Sequence, residues 1–450
     1  MIPVRLDEIG SARIVRGDPK QRVTGVVSDS RLATAGSLFV SLRGSRHDGH
    51  DFLEDAAARG AVAALCERGR VEVPCPLAVL ESEEPLAALG EVGRLVRRRS
   101  RARVVGVAGS AGKTTTKDVL HALLTPHVPA VASPASYNNE LGVPLTLALV
   151  EADTAVCICE LGTGAPGELA GLCGLAEPDV GLMTALGPEH LEFFGTLEAV
   201  AREEAALIGS LPRGAHVILP SGESLLEPYR RADLEEWRFG LDDAATVRPL
   251  VWHPRAERTD VVLSVRGERL AFTTNLNLSH HRLALAAAAA VCAALGLPLD
   301  RIGEGANAIA LSPWRGQEQR LPLGGLLIND AYNANPLSVK TALEALVARR
   351  ARGRAVAVLG AMAELGPDAL RWHSLAGRQA AELGVDLLVA VGPGSCGYLD
   401  GAVGRTHCHW FPDAGAAVRA LPRLLRPADV VLVKGSRSAG LERLAQVLGR

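Results

Sequence analysis

Lysine is scarce in this chain, with five in 450 residues, at positions 20, 113, 117, 340 and 434, against an arginine-rich remainder. Each lysine is therefore a position to inspect. Net charge is nearly absent: the formal value is −2, which excludes the global basic field that holds nucleic acid. No uninterrupted apolar run reaches membrane-spanning length, since the Ala-rich stretch from Leu283 to Leu299 is too short. Met1-Ile2-Pro3-Val4-Arg5 has no apolar core of signal-peptide length. A cytoplasmic protein is expected. The eight cysteines are scattered. Cys157 and Cys159 stand two apart on an apolar run and so share one strand face. No second pair supplies metal-ligand spacing, and reduced, buried thiols are expected. His407-Cys408-His409 has no other ligand cluster near it in sequence and reads as a loop or strand end. There is no internal repeat.

What is present is concentrated in one segment. Gly109-Ser110-Ala111-Gly112-Lys113-Thr114-Thr115 follows the β-rich run Arg103-Val104-Val105 and precedes a helical pattern beginning at Lys117. Strand, glycine-rich turn, Lys-Thr and helix form the arrangement that wraps a nucleoside triphosphate. The glycines let backbone N–H groups close on the phosphates, Lys113 offsets their charge, and the Thr114 hydroxyl is placed to ligate Mg²⁺. The spacing is shorter than the common phosphate-loop pattern.

A chain of this length holds two to four domains. Three α/β blocks are expected: a small one over 1–100, a central parallel-sheet nucleotide-binding domain over 101–312, and a C-terminal Rossmann-like domain over 313–450. In the second block strands are expected at Val104–Ala108, Ala155–Cys159, Val180–Thr184 and His216–Leu219, with helices between them. Val261–Val265 and Leu270–Thr274 read as a hairpin, and His281–Leu295 as an Ala-rich helix. The third block alternates again, with strands at Leu326–Asn329, Ala355–Leu359, Leu387–Val391 and Val430–Val433. Its Gly392-Pro393-Gly394 opens no Gly-x-Gly-x-x-Gly helix, so a dinucleotide site is not expected there. Arg94–Arg103 reads as a solvated helix end joining the first two blocks.

Ordered motifs along nearly the whole chain resemble the Mur ligases. They include Ser28-Asp29-Ser30-Arg31, Asp48-Gly49-His50-Asp51-Phe52, Tyr137-Asn138-Asn139-Glu140-Leu141-Gly142 and Glu160-Leu161-Gly162. Glu189-His190-Leu191-Glu192, Asn329-Asp330-Ala331-Tyr332-Asn333-Ala334-Asn335-Pro336 and Val433-Lys434-Gly435-Ser436-Arg437 continue the match. Within the family the resemblance runs to the members that join D-alanyl-D-alanine to a UDP-muramoyl tripeptide. It implies an ATP- and Mg²⁺-dependent amide ligase of peptidoglycan precursor synthesis, acting through an acyl phosphate and expected to be a monomer. By the same resemblance Lys113, Glu160 and His190 are catalytic. Thr114, Glu160, His190 and Glu204 hold metal. Gly109 to Thr115, Arg315, Asp330, Asn333 and Asn335 face the nucleotide. Ser30, Arg31, Asp48, Gly49, His50, Asn138, Asn139, Lys434 and Arg437 contact the two substrates.

The chain departs from the family at four places. Glu204 stands where the family carries a carbamylated Lys; it either supplies the missing carboxylate or is a solvated helix residue. Ser279-His280-His281-Arg282-Leu283-Ala284 keeps a His but lacks the Gly and both Asn of Gly-x-His-Asn-x-x-Asn. Ala361 replaces an Asp, and Trp314-Arg315-Gly316-Gln317 blurs a Gly-Arg pair. Two further readings stay open on these departures: an amide ligase of a specialised pathway, and a catalytically weak nucleotide-binding regulatory subunit.

Overall fold

Val104-Val105-Gly106-Val107-Ala108 is apolar at every position, a pattern that suits a strand covered on both faces. In the computed structural model, which describes all residues except 46, 72–74, 256, 323, 351 and 450, it lies inside a nine-stranded sheet and is fully buried. The strand Arg103–Ala108 pairs in parallel with Val156–Glu160 on one side and Val180–Met183 on the other. Chain continuation therefore leaves it in opposite directions, which makes its carboxyl end the topological switch point of the sheet, the place where open α/β sheets form their crevice. His216–Pro220 and Glu235–Phe239 extend the parallel part. The hairpin Thr259–Val265 and Glu268–Thr274 closes the far edge in antiparallel register.

The N-terminal sheet has five strands, in the order Arg13–Arg16, Ala78–Ser82, Ala61–Glu67, Ser37–Val40, Gly25–Val27, antiparallel only at the first pair. The helix Pro85–Arg99 leads from it onto the central domain. Its arginine-rich end differs from the solvated connector read in the sequence. Arg97 is only 12% exposed; it donates to Ala176 O (3.1 Å), Glu177 O (2.8 Å) and Asp179 Oδ2 (2.9 Å). Those carbonyls close the helix Glu168–Ala176, whose last turn has no intrahelical donors left for them.

The C-terminal sheet has six strands, in the order Gln317–Arg320, Leu326–Asp330, Val430–Lys434, Ala355–Gly360, Leu387–Val391, His407–Phe411, parallel except for the first pair. His407-Cys408-His409 thus belongs to an edge strand rather than a loop. The carboxyl ends of Leu326–Asp330 and Val430–Lys434 bring Asp330 and Lys434 together at one rim. Asn335, at the start of the helix Pro336–Arg349, donates from Nδ2 to Ser110 O (3.0 Å), so this rim closes over the switch point of the central sheet. Cys157 and Cys159 share a buried strand face, Sγ to Sγ 3.7 Å.

Candidate active site

The turn after Arg103–Ala108 is shaped by glycine. Gly109 has φ +121°, and a Cβ there would meet Thr184 Oγ1 at 2.5 Å; Gly112, at φ +87°, enters the helix Lys113–Leu124. The loop backbone and the helix N-terminus point into a cavity of about 300 Å³. Glu160 arrives at the same cavity from the end of the neighbouring strand and is 1% exposed. Its Oε1 accepts from Thr114 Oγ1 (3.0 Å) and Asn138 Nδ2 (2.9 Å), while its Oε2 is buried without a partner among the described residues. Burial raises its pKa above the ordinary range, against the opposing pull of Lys117, Arg315 and Lys113.

Lys113 folds back on its own loop. Its Nζ donates to Gly109 O and lies 3.8 Å from Glu189 Oε1. Burial disfavours its charge, but Glu189, Glu204 and Glu160 outweigh burial and hold its pKa above the ordinary value. Glu204 is fully buried; its Oε2 accepts the Gly109 N–H at 2.7 Å, and its Oε1 has no partner among the described residues. The solvated-helix alternative for Glu204 is thereby overturned: its helix face is packed beneath the phosphate loop. Burial raises the pKa of Glu189 and of Glu204 alike.

Arg315 enters from the third block. Its Nη2 donates to Thr114 Oγ1 (3.0 Å) and Ser136 Oγ (3.1 Å), and its guanidinium lies over the Tyr332 ring, 3.9 Å from the centroid. Lys434 donates to Asp330 Oδ2 (2.6 Å) and Asn333 O (3.0 Å). Arg437 lies over the rings of Tyr332 and Trp314. Lys113, Thr114, Glu160, Asn138, Asn139, His190, Arg315, Asn333, Asn335 and Lys434 therefore share one cavity wall.

The expected metal set does not assemble as one cluster. Among the described residues no three His, Cys, Asp or Glu side chains come close enough to hold an ion. The His190 ring is hydrogen-bonded through Nδ1 to Glu364 of the C-terminal domain, and Glu204 is turned to the Gly109 N–H. The Thr114 hydroxyl and the orphaned Glu160 oxygen remain, and these fit a hard cation completed by phosphate oxygens.

The N-terminal candidates lie apart, in their own sheet's loops. Ser30 Oγ donates to Asp55 Oδ2 (2.7 Å), and Arg31 is exposed and paired with Asp29. Both ring nitrogens of His50 are engaged, Nδ1 with Asp48 and Nε2 accepting from the Glu67 N–H. Gly49 packs where a Cβ would sit 2.6 Å from Leu42 N. Asn139 Oδ1 caps the Gly142 N–H, and Asn138 serves Glu160, so in this state both shape the site.

Two residues were missed in the sequence. Glu189 stood inside a quoted motif, yet only its approach to Lys113 reveals it. Tyr332 likewise stood within a motif, and its ring is the platform for Arg315. His280, the retained motif His, lines a second cavity, whereas His281, which stands where the motif has its first Asn, packs into the core beside Leu278 and Gly316.

Comparison with known proteins agrees with this geometry. Residues 22–104 match the model described as Mur ligase family, catalytic domain, residues 107–293 the Mur ligase middle domain, and residues 316–437 the Mur ligase, glutamate ligase domain. UDP-N-acetylmuramoyl-tripeptide--D-alanyl-D-alanine ligase of Mycobacterium tuberculosis is 34% identical over 95% of this chain and 92% of its own length. The Escherichia coli enzyme of the same name is 31% identical over 94% and 93%. Among solved structures, MurF from Acinetobacter baumannii superposes with a TM-score of 0.86 at 26% identity, covering 100% of this chain and 99% of that one. MurF ligase from Thermotoga maritima in complex with ADP gives 0.81 at 27% identity, covering 95% and 97%.

Proposed function

The chain belongs to the Mur ligase family, and we infer that it is the ATP-dependent amide ligase that adds D-alanyl-D-alanine to UDP-N-acetylmuramoyl-tripeptide in peptidoglycan precursor synthesis. The observation that carries the chemistry is the Lys113, Thr114 and Glu160 constellation at the mouth of the phosphate loop, faced by Arg315 and Lys434 from the third domain. A regulatory subunit would not need that constellation intact.

The reaction brings a carboxylate against a triphosphate, so like charges must be offset where they meet. Lys113 leaves Gly109 O and Glu189 to lie along the phosphates, and the loop N–H groups hold the β-phosphate. Arg315 is placed to swing from Thr114 onto the γ-phosphate, with Tyr332 supporting its guanidinium plane. Thr114 and Glu160 would hold Mg²⁺, which supplies charge neutralisation to the transferring phosphoryl group. The tripeptide carboxylate attacks the γ-phosphorus and ADP departs. The amine of D-alanyl-D-alanine then attacks the acyl carbon, and phosphate leaves. Lys434 and Arg437 are assigned to the incoming dipeptide or the phosphate. Ser30, Arg31 and the Asp48–His50 loop are assigned to the UDP end. The reaction is placed in the cytoplasm, where ATP is available.

The test is phosphate release by the full chain with UDP-muramoyl tripeptide, with and without D-alanyl-D-alanine. Sustained release that needs both substrates, and a product heavier by the dipeptide, is the expected result. Release independent of the dipeptide, or with neither substrate, would contradict the assignment.

A further inference from the structure

A second cavity, of about 210 Å³, lies on the other side of the phosphate loop from Glu160. It shares Ala111, Gly112, Arg315, Ser338 and Lys434 with the first cavity but is bordered by Thr115 and Thr116 rather than Thr114. A triphosphate whose γ end faces Thr114 and Glu160 runs its α end toward Thr115, so this second cavity takes the nucleoside. That placement rests on the ATP reading above.

The cavity wall is apolar where the base would lie: Phe239, Leu283, Ala284 and Leu337. No Asn or Gln side chain is among its described lining residues. Thr184 and Thr341 line it too, but their hydroxyl protons are already donated to Ala108 O and Ser338 O. Asp330 and Lys434 are paired with each other. Ser338 Oγ donates to Asn335 O, Arg315 is held on Thr114 and Ser136, and Thr115 and Thr116 belong to the phosphate end. Beside the apolar wall stands His280, and neither of its ring nitrogens has a hydrogen-bond partner among the described residues; Nδ1 is buried. A neutral imidazole donates from one nitrogen and accepts at the other, and the tautomer can exchange. It can therefore serve the amino group of adenine or the oxo group of guanine and hypoxanthine. A site built with a fixed donor–acceptor pair cannot do both, and such a site rejects the wrong partner by orders of magnitude.

We propose that this cavity seats a purine with little discrimination, His280 making the side-chain hydrogen bond to the base, so that GTP and ITP replace ATP as phosphoryl donors. The bonds made and broken are unchanged: the γ-phosphoryl group passes to the tripeptide carboxylate, and GDP or IDP leaves in place of ADP.

The test combines steady-state kinetics of the full chain on ATP, GTP and ITP with calorimetric binding of ADP and GDP. The expected kcat/KM values fall within about tenfold of one another, far inside the discrimination of a hydrogen-bond-reading site. ADP and GDP dissociation constants agree to the same degree. His280→Ala weakens both diphosphates by roughly tenfold, and His280→Gln restores them, because an amide also offers a donor and an acceptor. Rejection of GTP and ITP by roughly a thousandfold, with ATP turned over, overturns the proposal and leaves the ligase reading standing. Equal binding of ADP and GDP that His280→Ala does not alter overturns the role of His280. Failure of ATP itself to support ligation, with ADP and GDP bound alike, supports the cavity reading and contradicts the ligase assignment.

Discussion

Glu204, which we propose stands in for the family's carbamylated Lys, has its carboxylate buried beneath the phosphate loop, on the Gly109 N–H and facing Lys113. A carboxylate is thus already in place without carbon dioxide. The wild-type rate is expected to be the same in carbon-dioxide-depleted buffer and with added bicarbonate. Glu204→Gln keeps an acceptor for Gly109 but loses the charge opposite Lys113, and is expected to lower kcat/KM by roughly 10–100-fold, as for groups that orient a reactive centre. A full rate in that variant would make Glu204 a packing residue. His280 gives a residue-scale test of stability. Burial pushes its pKa down to about 4 from an ordinary 6.5, with Asp330 opposing and Lys434 assisting. Between those values the unfolded chain binds more protons than the folded one, so folded stability falls as pH drops from 6.5 toward 4. Urea unfolding across that window is expected to show a shallower pH slope in His280→Gln than in the wild type; equal slopes would contradict the assignment.

At the scale of elements, the C-terminal end of Pro85–Arg99 anchors one domain on the next. Arg97→Ala removes three carbonyl and carboxylate contacts made by a largely buried guanidinium and leaves Asp179 Oδ2 with the Val104 N–H but no opposing charge from Arg97. A loss of about 2–4 kcal/mol in unfolding free energy is expected from denaturant titration; Arg98→Ala, on an exposed pair with Glu177, is expected to cost less than about 1 kcal/mol. This anchor was not legible from composition, because an arginine run looks the same whether it meets water or helix carbonyls. The strands were legible, since Val104–Ala108 and Val180–Met183 are apolar throughout, and so was the phosphate loop, whose glycines and Lys-Thr are contiguous. That His280, the retained motif His, lines a cavity while its neighbour His281 packs into the core was not legible. One residue turns a helix face by about 100°, so the start of the helix His281–Ala294 decides which ring meets the core. Arg315 on Thr114 and Asn335 on Ser110 span 201 and 225 residues, and only the docking of two domains brings them together.

At the scale of the molecule, the third domain completes the site. Asp330 holds Lys434 at the rim, and His190 and Glu364 bridge the two domains. Asp330→Ala releases Lys434 and is expected to raise the KM for ATP roughly tenfold to a hundredfold, the range for a charge-assisted hydrogen bond. Unchanged ATP dependence would confine the nucleotide site to the central domain. The central claim is that the tripeptide carboxylate is activated as an acyl phosphate, and it predicts where an oxygen atom goes. The attacking carboxylate oxygen becomes the bridge to phosphorus and departs with the phosphate when the amine attacks carbon. The most direct measurement is mass spectrometry of the phosphate released from a tripeptide whose terminal carboxylate carries heavy oxygen. The account predicts one labelled oxygen in each phosphate formed from fully labelled substrate; phosphate free of label would contradict it.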